Sequence, residues 1–230
     1  MIFAGIVRTS LIDFPGKIAT VLFTPGCNFN CYYCHNRSLI EDIASLIPND
    51  EIDAFLKKRQ NLIDGVVVTG GEPTLHDDLL PYFLYLKDLG YATKLDTNGS
   101  NPEALAACLA AGALDYVAID YKAPRSRYAE IARGEADPKD VLRSITILKE
   151  SGIDFEVRTT VIPQLTLEDL IRMAEELPEV PRYVLNDYKK PLDYLIEDLE
   201  LIEVAPYSEK QIAEFAETIK LYQPHVVLMF

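Results

Sequence analysis

Short apolar runs alternate with helical segments six times along the chain, and this alternation constrains the fold more than any other feature. The run at residues 18–24 is almost continuously apolar and rich in branched side chains, which is typical of a strand buried on both faces. Further strands are predicted at residues 65–69, 92–96, 116–120, 155–161 and 182–185. Repeated strand–helix units predict a parallel sheet with right-handed crossovers.

Helix start signals follow three of these six strands. Asn101 before Pro102 predicts an N-cap, and Thr166 and Ser208 each open a predicted capping box. The predicted helices span residues 50–59, 77–89, 101–112, 139–150, 166–177 and 208–222, with residues 123–138 as a polar connection. Residues 3–17 are expected to form an antiparallel lead-in that turns at residues 14–16, and residues 225–230 a short final strand.

Six strand–helix units fall short of the eight that close a full barrel. We therefore predict an α/β fold, an open partial (β/α)6 barrel, with a doubly wound open sheet as the alternative. The 230 residues fit one domain, with residues 1–17 as the lead-in and residues 223–230 as the C-terminal tail. In either architecture, functional residues collect at the carboxyl ends of the strands.

Composition excludes several functional classes. The net charge of −14 argues against a general nucleic-acid binder. No apolar run approaches the roughly 20 residues of a membrane span, and the first residues lack the pattern of a signal peptide. We expect a cytoplasmic protein without a membrane partner, in a compartment where thiols stay reduced.

Three of the four cysteines, Cys27, Cys31 and Cys34, lie within eight residues at C-x3-C-x2-C spacing. Soft thiolates suit zinc or an iron–sulfur cluster. Three thiolates would hold three irons of a [4Fe–4S] cube and leave the fourth iron without a protein ligand. Alternatively, His35 could complete a Cys3His zinc site, although no second pair of metal ligands follows downstream. A disulfide would leave one thiol unpaired, and Cys108 is interpreted as a small core residue.

Unusual polar and glycine residues fall at the carboxyl ends of the other predicted strands, apart from Arg158, which lies within the fifth. They are Gly70, Gly71, Glu72, Asp96, Thr97, Asn98, Asp120, Lys122, Arg158, Asn186 and Asp187. Because parallel strands bring these ends to one rim, we expect the side chains to meet there.

Three groups of these residues carry specific hypotheses. Paired glycines at residues 70–71 suit a close approach of backbone, as an ordinary turn or beside a ligand. Asp96 and Asp120 would repel each other unless a cation or a lysine lay between them, which makes a cation site plausible. Arg158, on a buried strand, needs an anionic partner, which is either a ligand carboxylate or an acid such as Glu156 or a rim aspartate.

The cysteine spacing, with Tyr33 before the third cysteine, resembles the signature loop of radical S-adenosylmethionine (SAM) enzymes. The resemblance implies a [4Fe–4S] cluster on the three cysteines, SAM chelated by the open iron, and a 5′-deoxyadenosyl radical. Residues 70–72 are similar to the family's Gly-Gly-Glu motif, whose backbone meets the SAM amino group. Tyr33 and His35 would lie beside the cofactor.

Several segments together resemble the activating proteins of anaerobic ribonucleoside-triphosphate reductase, a group close to the pyruvate formate-lyase activator. They are residues 9–17, 34–36, 95–100, 115–120 and 157–160. In such activases the Asp, Thr and Asp matching Asp96, Thr97 and Asp120 help to bind a monovalent cation beside the SAM carboxylate. The segment matching Asp120 to Lys122 contacts SAM. The similarity weakens beyond about residue 165, where residues 186–190 depart from the family's usual pattern.

The resemblance implies a radical SAM oxidoreductase that places a glycyl radical on a partner enzyme. The expected partner is anaerobic ribonucleotide reductase, and the expected electron donor is reduced flavodoxin or ferredoxin. Three alternatives stay open: an activator of another glycyl radical enzyme such as pyruvate formate-lyase, a small-molecule enzyme similar to 7-carboxy-7-deazaguanine synthase, and a non-catalytic zinc or cluster protein.

Overall fold

One eight-stranded sheet organises the computed structural model, which describes residues 1–41 and 46–230. Its strands are β1 (Gly5–Ser10), β2 (Ala19–Thr24), β3 (Gly65–Gly70), β4 (Ala92–Thr97), β5 (Tyr116–Asp120), β6 (Asp154–Val161), β7 (Tyr183–Asp187) and β8 (Val226–Met229). The strands lie side by side in chain order. β1 is antiparallel to β2, and every later neighbour pair is parallel.

Helices connect the strands; in the described ranges six of them lie where the sequence predicted helices, and three shorter ones were not predicted. They are α1 (Arg37–Glu41), α2 (Asn49–Arg59), α3 (Leu79–Asp88), α4 (Pro102–Ala110), α5 (Tyr128–Ile131), α6 (Pro138–Ser151), α7 (Leu167–Glu176), α8 (Leu199–Ile202) and α9 (Glu209–Ile219). Asn101 caps α4, and both predicted capping boxes form, at α7 and α9. Within the described ranges, no helix is long and apolar enough to cross a membrane.

The strand order distinguishes between the two predicted architectures. A doubly wound sheet reverses its strand order at a switch point. Here the order runs from β1 to β8 without reversal, and β1 and β8 form the two edges of the described sheet. The fold is therefore the predicted open partial barrel. The lead-in supplies β1, and the predicted final strand is β8, parallel to β7.

The two faces of the sheet are filled differently. The outer face packs against the helices in one large apolar core. The inner face carries a small cluster of Phe14, Ala19, Val21 and Val67. Phe14 comes from the β1–β2 connection and contacts the Tyr116 ring at a centroid distance of 6.2 Å. The β1–β2 connection therefore covers the amino-terminal ends of the central strands on the inner face of the sheet.

The prediction that residues 123–138 form a polar connection was wrong. This segment contains α5, and Ala123, Tyr128 and Ala132 are fully buried. The Tyr128 ring packs against that of Phe29 in the cysteine loop at 6.3 Å. Four helical residues are too few to show a helical period, so no pattern in the sequence indicates this packing.

Candidate active site

A cavity of about 220 Å³ lies at the carboxyl ends of the strands. It gathers almost all of the residues predicted to form the site. They are Cys27, Cys31, Tyr33, Cys34, His35, Gly70, Gly71, Asp96, Thr97, Asn98, Asp120, Lys122 and Arg158. Glu72, Asn186 and Asp187 are the exceptions. Phe29, Asn36, Ile40, Thr69 and Thr160 complete the lining. The polar residues at the carboxyl ends of the parallel strands therefore lie together at one rim, as expected for a parallel sheet.

The cysteine loop is fixed by its own backbone and by α1. Gly26 turns the chain out of β2 with φ +77, and its N–H donates to the Leu39 carbonyl at 3.0 Å. The Cys34 N–H donates to the Cys31 carbonyl at 3.2 Å. The Phe29 N–H lies 3.4 Å from Cys27 Sγ, so one sulfur already accepts a backbone hydrogen bond.

Two supports of this loop were missed by the sequence analysis. Arg37 is only 3% exposed and donates to Asn30 Oδ1 at 2.6 Å and to the Cys31 carbonyl at 2.9 Å. The Ala132 carbonyl accepts from the Asn30 N–H at 3.0 Å and lies 3.4 Å from Cys31 Sγ. Nothing in the sequence separates Arg37 from an ordinary exposed arginine at the start of a helix.

The donor set fits an iron–sulfur cluster better than a single ion. Burial raises the pKa of the Cys27 thiol to about 11 and that of the Cys31 thiol to about 12, so metal binding must displace protons. In the part of the chain that the structure describes, no three His, Cys, Asp or Glu residues are arranged to hold one metal ion. A Cys3His zinc site requires such a group. A cluster does not, because each thiolate binds a different iron.

The glycine pair has a packing reason of its own. Gly70 has φ +117, and a Cβ at Gly71 would lie 1.8 Å from the carbonyl oxygen of Gly26. The Gly71 N–H donates to the Thr24 carbonyl at 2.8 Å, and the Gly70 carbonyl accepts from Asn36 Nδ2 at 2.9 Å. The two glycines therefore let the end of β3 approach the entrance of the cysteine loop.

Glu72 was predicted to contact the cofactor, and the structure places its side chain elsewhere. It is fully buried, with Oε1 accepting from Thr97 Oγ1 at 2.7 Å and Oε2 accepting from the Asn98 N–H at 2.6 Å. Burial raises its pKa, although these hydrogen bonds favour the charged form. Asn98 Nδ2 in turn donates to Asn28 Oδ1 at 2.9 Å and lies 3.8 Å from Cys27 Sγ. Glu72 thus joins the ends of β3 and β4 behind the cysteine loop.

The predicted rim acids share an arginine. Arg158 Nη1 lies 3.0 Å from Asp96 Oδ2, and Arg158 Nε lies 3.1 Å from Asp120 Oδ1. Glu156 pairs with Arg182 instead, at 2.9 Å. Of the anionic partners considered for Arg158 within the chain, the structure therefore selects the rim aspartates. Arg158 also supplies the positive charge that two neighbouring aspartates require.

Two lysines extend this arrangement. Lys94 Nζ lies 3.0 Å from Asp96 Oδ1, and Lys122 Nζ lies 3.1 Å from Asp120 Oδ2. The resulting row of alternating charges, Lys94–Asp96–Arg158–Asp120–Lys122, is termed the charge array. Burial alone would raise the pKa of Asp120, but the charges of Lys122 and Arg158 outweigh it and lower that pKa to about 2. Asp120 is therefore ionised at neutral pH.

Comparison with known proteins points to one family. The profile of the Radical SAM superfamily matches residues 21–177. The chain is 31% identical over 231 residues to "Putative glycyl-radical enzyme activating enzyme MJ1227" of Methanocaldococcus jannaschii, covering 98% of this chain and 94% of that protein. It is also 31% identical over 194 residues to the pyruvate formate-lyase-activating enzyme of Streptococcus mutans, covering 77% of this chain and 73% of the relative.

Solved structures share the fold. The structure of TYW1 with a lysine-pyruvate adduct bound aligns with a TM-score of 0.61 at 17% identity, covering 89% of this chain and 74% of that chain. Streptococcus suis SuiB bound to S-adenosylmethionine aligns with a TM-score of 0.63 at 16% identity, covering 91% of this chain. The chain spans about half of SuiB, 52%. At these identities, the likeness concerns the fold alone.

The close approach at Gly71 leads to a stability prediction. Gly71→Ala should lower the free energy of unfolding by about 1–3 kcal/mol, because the added methyl meets a backbone oxygen that cannot move aside freely. Gly5→Ala is the matched control, since its Cβ would meet Phe23 at an ordinary 3.4 Å. Urea unfolding of both variants measures the difference. Equal stability of the two variants would contradict the packing role.

Proposed function

Because the chain belongs to the radical SAM superfamily and is similar to glycyl-radical-enzyme activating enzymes, we propose that it generates a glycyl radical on a partner enzyme. The observation that carries the proposal is the meeting of three thiols and the charge array around one cavity. The superfamily uses a [4Fe–4S] cluster and SAM, and this cavity has donors suited to both.

Cys27, Cys31 and Cys34 would hold the cluster. A reduced cluster bound there would supply the electron for reductive cleavage of SAM, the chemistry by which a hydrogen atom would be removed from a glycine of the partner. The chain's contribution is to bind, orient and shield the reactants. The hydrogen bond from the Phe29 N–H to Cys27 Sγ favours the thiolate form of that ligand.

The other lining residues would hold SAM. Arg158 and Lys122 are largely buried cations at the cavity, suited to the SAM carboxylate. The backbone at Gly70 and Gly71 also lines the cavity, close to Gly26 at the entrance of the cysteine loop, and would bind the SAM amino group. Tyr33 and His35 would contact the remainder of the cofactor, while Thr97 and Asn98 complete the rim. Glu72 would act as a positioning residue through Thr97 and Asn98.

A monovalent cation beside the SAM carboxylate forms part of this proposal. Asp96 and Asp120 stand on neighbouring strands and both line the cavity. Each of their oxygens already has a cationic partner in Lys94, Arg158 or Lys122. A potassium or sodium ion would therefore share an oxygen with one of these side chains.

We propose a macromolecular substrate, with anaerobic ribonucleotide reductase as the partner and reduced flavodoxin or ferredoxin as the electron donor. Two features support a large substrate. The sheet is open between β1 and β8, and residues 123–138 pack against the cysteine loop rather than over the cavity. A loop of the partner could then supply the missing wall. The proposal includes a cytoplasmic location, which the free thiols support because cluster ligands must stay reduced.

The first prediction concerns the cluster. Anaerobically reconstituted protein should hold close to four irons and absorb broadly in the visible, because three thiolates complete a cube with one open iron. Cys27→Ser, Cys31→Ser and Cys34→Ser should each abolish it. Cys108→Ser is the matched control, since Cys108 is buried on α4 away from the cavity. Stoichiometric zinc without iron uptake would refute the assignment.

The second prediction concerns the rim. Asp120→Asn should weaken SAM binding by on the order of 1–3 kcal/mol, because Arg158 and Lys122 lose the carboxylate that anchors them. Asp187→Asn should have little effect, since Asp187 ends β7 outside the cavity lining. Titration of the reconstituted protein with SAM measures both.

SAM cleavage should also be faster in potassium or sodium than in choline, and equal rates would remove the cation from the proposal.

The third prediction tests the activity itself. With reduced cluster, SAM and anaerobic ribonucleotide reductase, electron paramagnetic resonance should detect a glycyl radical, with roughly one 5′-deoxyadenosine formed per radical. Without the partner, SAM cleavage should be slow and uncoupled. If the radical forms on pyruvate formate-lyase instead, the proposed partner is wrong and the activase assignment stands. Multiple turnovers of a small molecule without any partner would show that the activase assignment is wrong.

A further inference from the structure

Lys94 is a buried charge that the proposed function does not use directly. Its side chain is 2% exposed, and it does not line the cofactor cavity. It borders a second cavity of about 290 Å³, which it shares with Arg158 and with Asp13 of the β1–β2 connection. Burying a lysine costs several kcal/mol unless it is well paired, so its partners require an explanation.

Lys94 has three partners inside the barrel. Its Nζ donates to the Asp13 carbonyl at 2.5 Å, pairs with Asp96 Oδ1 at 3.0 Å, and lies 5.7 Å from the centre of the Tyr116 ring. Asp13 is itself fixed by Ser10, whose Oγ donates to Asp13 Oδ2 at 2.5 Å and accepts from the Asp13 N–H at 3.2 Å. Lys94 therefore ties the β1–β2 connection to the charge array.

Lys94 and Arg158 face different oxygens of Asp96. Lys94 Nζ lies 3.0 Å from Asp96 Oδ1 as an ion pair without hydrogen-bond geometry, while Asp96 Oδ2 accepts a hydrogen bond from Arg158 Nη1. Arg158 Nε is then directed to Asp120 Oδ1. If Asp96 Oδ1 were released, both oxygens could accept a bidentate pair from Arg158, which is the preferred geometry for these two groups. The guanidinium would then turn away from Asp120 and from the cofactor cavity.

We propose that Lys94 is a positioning residue: by holding Asp96 it keeps Arg158 shared between Asp96 and Asp120, and so sets the affinity of the cavity for the carboxylate of SAM. The inference rests on the proposed function, because it takes SAM as the ligand of the cavity. It also gives a role to residues 11–18, whose Asp13 carbonyl anchors Lys94 from the amino-terminal end of the barrel.

The test measures the dissociation constant of SAM for reconstituted protein without partner, from the change in the electron paramagnetic resonance spectrum of the reduced cluster. Lys94→Met should raise this constant roughly tenfold or more, with unchanged iron content. Lys94→Arg should recover most of the affinity, because it keeps the charge and the second cavity offers room. Lys57→Met, which removes an exposed lysine paired with Asp53 on α2, should change nothing.

The route through Asp96 is tested by a double-mutant cycle. In the Asp96→Asn background, Lys94→Met should raise the dissociation constant of SAM little further. Fully additive effects of the two substitutions would show that Lys94 does not act through Asp96. In SAM cleavage, Lys94→Met should raise KM and leave kcat within about twofold. If Lys94→Met does not fold, Lys94→Gln replaces it, since an amide can still donate to the Asp13 carbonyl without carrying charge.

A purely structural lysine gives a different result. It would lower the melting temperature and leave the SAM dissociation constant unchanged in both Lys94→Met and Lys94→Gln, which would overturn the inference. Asp120→Asn separates this outcome from a failure of the proposed function. If Asp120→Asn weakens SAM binding and the Lys94 variants do not, only the role of Lys94 is wrong. If none of them affects SAM binding, the assignment of SAM to this cavity is wrong as well.

Discussion

The charge array depends on its two carboxylates, because Asp96 and Asp120 lie between three cations, Lys94, Arg158 and Lys122. A closed (β/α)8 barrel fills its interior with layers of branched apolar side chains. Here, among the described residues, a small apolar cluster around Phe14 and Val67 fills part of the interior, and the charge array lies beyond it. Removing either carboxylate would leave largely buried cations without their counter-charge, which costs more than an exposed ion pair contributes.

The cysteine loop is positioned by contacts from the adjoining helix and from distant parts of the chain. Arg37 holds it from α1, the Ala132 carbonyl from the β5–β6 connection, and Asn98 from the end of β4. Glu72 fixes Asn98 in turn through a fully buried carboxylate. Metal ligands are commonly oriented in this way by neighbouring hydrogen bonds. The geometry of the three thiols is thus set by four separate segments and not by their spacing alone.

Local signals allowed most of the fold to be predicted from the sequence. Branched apolar runs defined the six central strands, and Thr166 and Ser208 marked helix starts, because strand burial and capping depend on adjacent residues. The placement of Glu72, the burial of residues 123–138 and the pairing of Lys94 with Asp13 depend on contacts distant in sequence. Charged side chains are normally exposed, and Arg37 lies in no strand pattern of the kind that marked Arg158 as buried.

Preorganisation links the array to the proposed chemistry. An arginine on an open surface loses rotamer freedom worth up to about 2 kcal/mol when it binds a carboxylate. Asp96 holds Nη1 of the Arg158 guanidinium and Asp120 holds its Nε, so folding has already removed that rotamer freedom. It also lies on β6, a strand in the middle of the sheet, where its backbone is fixed by neighbours on both sides. A ligand carboxylate entering the cavity then meets a cation that needs no further ordering, which is the condition under which fixed charges contribute most to binding.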